Sequence, residues 1–225
     1  MIVLNILLDK LDFNESWAYD TLKNIIKPEY KVCIIPFAFH DDWIKNKVEW
    51  DECYNKSYGK YYKEMMIPFY DYGINDNNVE LINCFEDSTD NAKKKINNSN
   101  IILFTGGFPE KIMQRLIELD LVSIVENYKG IIMGWSAGAM IQCHDYYISP
   151  DEKDYFKFVY EKGLDFIRNF AVEVHYKKSN VQNESIEKYI NETGKNVYTT
   201  EAKSAIIVDN DEVILLGNAK QYKLK

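Results

Sequence analysis

Short, almost wholly apolar runs recur along the chain at 2–8, 31–36, 100–105 and 130–134, separated by stretches long enough for a helix. A strand that is apolar at every position must be covered on both faces. Parallel neighbours need a crossover, and a helix supplies one. The pattern therefore specifies an α/β fold with a mainly parallel sheet between helical layers. A further strand is expected at 79–85. Helices are expected at 15–26, stopped by Pro28, at 87–97, at 110–119 and from 137 onward. The polar and aromatic span 41–66 reads as one long or broken helix. Beyond Tyr146 the pattern changes to a strand at 170–175, a helix at 182–192, and short strands at 197–200, 205–208 and 212–216. The last two are joined as a C-terminal β-hairpin by Asp209-Asn210-Asp211. There is no repeat, low-complexity tract or Pro/Gly/Ser linker, so residues 1–225 read as a single domain.

Composition removes several function classes. With 46% hydrophobic and 28% charged residues, the chain can bury a core and is not a disordered one. No apolar run approaches the roughly 20 residues that span a bilayer. The first residues lack the basic lead-in and small-residue cleavage site of a signal peptide. A net charge of −8 repels phosphate backbones, so neither nucleic acid nor membrane is an expected partner. Cys33, Cys53, Cys84 and Cys143 lack the spacing of a zinc or redox motif. His40, His144 and His175 form no metal pair at helical spacing. The expectation is free thiols in a reducing cytoplasm, no metal or cofactor, and a monomer or homodimer. The arginines are Arg115 and Arg168, so any guanidinium fork for a carboxylate must come from one of them.

One segment carries chemistry. The apolar strand ending at Met133 runs into Gly134-Trp135-Ser136-Ala137-Gly138 and then a helix-prone stretch. Gly-x-Ser-x-Gly in a strand-turn-helix context is the pattern of a nucleophile elbow. The alternative is a serine that only caps a helix. A serine nucleophile needs a base. His175 ends an expected strand, where α/β sites gather. His40 ranks second, and His144, expected on the elbow helix, third. The base needs an orienting carboxylate. Spacing leaves Asp151, Glu152 and Asp154 open, with Glu173, on the histidine's face of the strand, behind them. Thr105-Gly106-Gly107-Phe108-Pro109 ends another apolar strand and suits a second oxyanion donor.

Gly134-Trp135-Ser136-Ala137-Gly138-Ala139 resembles the nucleophile motif of the peptidase E and cyanophycinase family of serine peptidases. The likeness extends to Thr105-Gly106-Gly107, to Arg115-Leu116, to Gly163-Leu164 ahead of His175, and to the closing strands up to Gly217. It implies the flavodoxin-like three-layer sandwich of class I glutamine amidotransferase-like proteins. It also implies Ser136 as nucleophile, His175 as base, Asp151 as the third member, and the amides of Gly107 and Ala137 as the oxyanion hole. Small peptides, as for a dipeptidase, are the implied substrates. Two features depart from the family. Phe108 and Pro109 follow the glycine pair where Asn or Asp is usual. Val181-Gln182-Asn183-Glu184 lacks the arginine that suits an aspartyl substrate.

Other classes make separable expectations. An α/β-hydrolase esterase or amidase shares the elbow but predicts an antiparallel second strand and eight main strands. A non-catalytic ligand-binding member predicts a serine hydroxyl out of reach of His175.

Overall fold

The structure, a computed structural model, describes residues 3–210 and 212–223. Its strands begin with β1 (Leu4–Leu8), β2 (Val32–Ile35), β3 (Val79–Leu81), β4 (Ile101–Phe104), β5 (Ile131–Trp135) and β6 (Asp145–Ile148). They continue with β7 (Val159–Lys162), β8 (Phe170–Glu173), β9 (Asn196–Thr199), β10 (Ser204–Asp209), β11 (Glu212–Gly217) and β12 (Lys220–Tyr222). The first helices are α1 (Ser16–Leu22), α2 (Lys47–Tyr54), α3 (Tyr62–Asp71) and α4 (Thr89–Asn97). After them come α5 (Pro109–Glu118), α6 (Val122–Glu126), α7 (Ala137–Met140) and α8 (Asn180–Thr193).

Seven strands form the central sheet in the order β11-β10-β1-β5-β4-β2-β3. The five from β1 to β3 run parallel, and β10 and β11 close one edge as an antiparallel hairpin. Within that hairpin turn, Asp211 lies outside the described residues, as does Ile2 of the first expected strand. Successive side chains on a strand point to opposite faces. Accordingly Leu7, Ile35, Ile102 and Ile132 pack into one core layer. Ile6, Leu8, Ile34, Leu103 and Met133 pack into the other. This is the mixed α/β architecture expected, with its short C-terminal hairpin. The parallel β2 and the seven-stranded sheet are not those of an α/β-hydrolase.

Several expectations shift. The span 41–66 is broken between α2 and α3, and α3 continues through Pro68 to Asp71. Asn46 caps α2, accepting from the Glu49 amide at 3.1 Å, and Glu49 accepts from the Lys45 amide just before the cap at 2.6 Å. The elbow helix stops at Met140, and His144 lies beyond it. The carbonyls that would continue the helix are taken by a distant segment. Leu164, Ile167 and Gly163 donate to Ile141, Gln142 and His144 at 2.7, 3.1 and 3.0 Å. The chain then enters β6, which pairs with β7 in a hairpin the sequence pattern does not announce. The strand before His175 is not in the central sheet. β8 pairs parallel with β9, and β12 pairs antiparallel with β9, in a smaller sheet. α8 packs against that sheet through Ile186, Tyr189 and Ile190.

Candidate active site

Strand register brings the central residues together. Leu8 pairs with Trp135, so Asp9 and Ser136 leave adjacent parallel strands side by side. Phe104 pairs with Gly134, so the Gly106-Gly107 loop emerges on the other flank of the elbow. The smaller sheet delivers His175 from the end of β8.

Ser136 has φ 52° and ψ −117°, a backbone position that L-residues avoid. Its amide donates to the Leu8 carbonyl at 3.0 Å, which pins the turn to β1. A Cβ on Gly134 would collide with the backbone of Gly138, so the tight turn excludes a side chain there. Ser136 makes no side-chain bond to its own helix, contrary to a capping role. Its Oγ instead lies 2.8 Å from His175 Nε2. That is within hydrogen-bond reach, unlike the separation a non-catalytic member predicts.

The acid beside the imidazole is one that sequence reasoning missed. Asp9 Oδ1 is 3.2 Å from His175 Nδ1 and accepts from the His175 amide at 2.7 Å. Thr200 Oγ1 donates to the same oxygen at 3.3 Å. His175 has φ 52°, so this carboxylate holds both the ring and the strained backbone that carries it. Asp9 is 1% exposed. Burial pushes its carboxyl upward, but the His175 ring, the His175 amide and Thr200 together hold it below the usual carboxylate range.

The structure does not bring the sequence-derived acids to Nδ1. Asp151 Oδ1 accepts from the amides of Lys153, Asp154 and Tyr155 at 2.8, 2.7 and 3.0 Å. An Asp that bonds to its own loop in this way serves the local turn. Glu152 and Asp154 are exposed. Glu173 is 5% exposed and accepts from Ser149 at 2.8 Å and from Gln182 at 3.0 Å. Burial pushes its carboxyl above the usual range despite those bonds. His40 sits 3.5 Å from the Asp42 carboxylate and edge-on to Phe108, and His144 sits 3.1 Å from that of Asp145.

The amides of Gly107 and Ala137 donate to no protein acceptor among the described residues. Gly107 has φ 137°, and a Cβ there would overlap the Ala38 carbonyl. Phe108 N donates to that carbonyl at 2.8 Å, fixing the loop. Arg115 is committed elsewhere. It bonds the carbonyls of Phe37 and Phe39 at 2.5 and 2.8 Å and the Asp41 carboxylate at 2.5 Å. Two cavities of about 710 and 500 Å³ flank the serine and share Trp43, Gly107, Ser136 and His175 in their walls. No group of three or more His, Cys, Asp or Glu arranged for a metal occurs among the described residues.

An α/β sheet with a serine on a strained strand-to-helix turn, facing an imidazole, defines a serine-hydrolase scaffold. The model of Peptidase family S51 matches residues 12–216, and the chain belongs to that family of serine-type peptidases. Among solved structures, it is similar to a candidate peptidase E protein from Listeria monocytogenes EGD-e. The TM-score is 0.65 and the identity 18%, over 100% of both chains. It is also similar to a peptidase from an acI-B1 actinobacterium. There the TM-score is 0.56 and the identity 18%, over 99% of this chain and 95% of that one. No curated protein matches the sequence. No helix of the described residues is long and apolar enough to cross a membrane.

Proposed function

We propose that the chain acts as one catalytic unit that hydrolyses small peptides through Ser136, His175 and Asp9. The observation that carries this reading is the 2.8 Å Ser136–His175 contact backed by the buried Asp9 carboxylate. Ser136 Oγ attacks the scissile carbonyl while His175 Nε2 takes its proton. The developing oxyanion is met by the free amides of Gly107 and Ala137. His175 then gives the proton to the departing amine, and a water, activated the same way, releases the acyl group. Asp9 keeps the imidazole oriented with Nε2 toward the serine and stabilises the imidazolium as it forms. The reducing cytoplasm is the compartment that fits the four free cysteines.

A fluorophosphonate should label the wild type and not Ser136→Ala, and peptide hydrolysis should fall by about 10⁶-fold in that variant. Equal labelling of the two proteins would overturn the mechanism.

A further inference from the structure

The two cavities beside Ser136 differ in size and in the elements that wall them. The larger, of about 710 Å³, is walled by Phe39, Trp43, Ile44, Tyr54, Tyr61 and Met65. Those residues come from the loop after β2, from α2, from the link before α3 and from α3; Phe39, Ile44, Tyr54 and Met65 also belong to the core, while Trp43 and Tyr61 do not. Lys10 and Glu64, both exposed and of opposite sign, also line it. Asp9, a further wall residue, is already engaged with His175. The smaller cavity has Ser149, Glu173, Lys177 and Gln182 in its walls, beside apolar residues such as Phe108 and Tyr155.

Two features of the larger cavity bear on its occupant. Trp43 is 64% exposed and Tyr61 38% exposed, so large apolar surfaces are left in water beside the nucleophile. Trp43 is nevertheless braced, edge-on to Phe108 with ring centroids 5.3 Å apart. Braced aromatic surface at a concave site is what an apolar ligand group would cover. The second feature concerns arginine. Arg115 is spent on the loop carbonyls and Asp41, and the exposed Arg168 is paired with Asp165. No guanidinium fork is left to receive a carboxylate side chain in this cavity.

On the reading of Ser136 and His175 given above, we infer that the larger cavity receives a bulky apolar or aromatic residue adjoining the scissile bond. The preferred substrates are then short peptides carrying Phe, Tyr or Leu at that position rather than Asp. The remainder of the peptide crosses Ser136 into the smaller cavity.

The test uses matched dipeptides, X-Ala and Ala-X, with X as Phe, Leu, Ala or Asp, alongside fluorophosphonate labelling of the same preparation. In at least one series, kcat/KM for Phe or Leu should exceed that for Ala by about 10- to 200-fold, the range a hydrophobic pocket achieves. Asp should be the poorest member. The Phe-to-Ala ratio, taken within each protein, should shrink in Trp43→Ala and in Tyr61→Ala. Because it is a ratio, damage common to both substrates cancels. Ser136-dependent labelling with the highest rate on Asp, with no size preference, or with no bulky dipeptide cleaved, overturns the pocket assignment alone. An undiminished ratio in both variants does the same. Absence of Ser136-dependent labelling overturns the peptidase mechanism beneath it.

Discussion

Two buried carboxylates flank His175, one from the end of each sheet, and their hold on a proton is shifted in opposite directions. Asp9 immediately follows β1 of the central sheet and Glu173 ends β8 of the smaller one. Burial disfavours the charge on both. Asp9 is pulled below the usual range because His175 supplies a ring that can carry positive charge and a backbone amide. Glu173 is bonded by neutral donors, Ser149 and Gln182 among them, and burial pushes its carboxyl upward. A partner able to carry the opposite charge thus outweighs burial at Asp9, while at Glu173 burial outweighs the neutral hydrogen bonds. The same difference separates an acid suited to orienting an imidazole from one suited to bracing a loop.

The strongest way to break this contrast is Asp9→Asn. It keeps the shape and removes the charge, and kcat/KM should fall by about 10³- to 10⁴-fold. A loss below tenfold, with a large loss in Asp151→Asn instead, would return the acid to the loop that the family likeness implies. The next effect lies in stability. Since the folded pKa of Glu173 is raised, its contribution is present below the unfolded value and is lost as pH rises through the folded one. Thermal melts of the wild type should therefore lose ground to Glu173→Gln between pH 4 and pH 8. The loss is about 1.4 kcal/mol for each tenfold by which folding tightens the carboxyl's hold on its proton. Parallel curves for the two proteins would sink this assignment. The smallest effect is expected from Thr200→Val, which removes one neutral donor from Asp9. At about 0.5–1.5 kcal/mol for such a bond, activity should drop by roughly two- to tenfold. A loss as large as that of Asp9→Asn would mean that Thr200, and not the His175 ring, keeps Asp9 ionised.

Much of the framework was legible because parallel strands buried on both faces leave unbroken apolar runs, as at 100–105 and 130–134. The elbow was legible because its glycines are demanded by close backbone approach, visible here where Gly134 meets Gly138. The acid was not. Asp9 is one of 35 acidic residues and lies far from His175 along the chain. Nothing local marks it. The signal that could have found it is its place immediately after an apolar parallel strand, the rule that singled out His175. Asp151 was misleading because its neighbours satisfy it locally, a contest between turn and site that spacing cannot resolve. The short elbow helix was illegible for a related reason. What ends it is a set of carbonyls claimed by residues 163–167, and helix periodicity carries no trace of such distant partners.

The order of Asp9, Ser136 and His175 along the chain has a consequence for how the protein is made. On the proposed mechanism, the acid Asp9 leaves the ribosome first, the nucleophile Ser136 much later, and the base His175 last, on a sheet that β9 and β12 complete still later. While the elbow is being synthesised, His175 has not yet been made. A growing chain therefore carries its nucleophile unarmed. On the mechanism proposed above, hydrolytic capacity arrives only with closure of the smaller sheet, so activity would double as a report that the C-terminal third has folded.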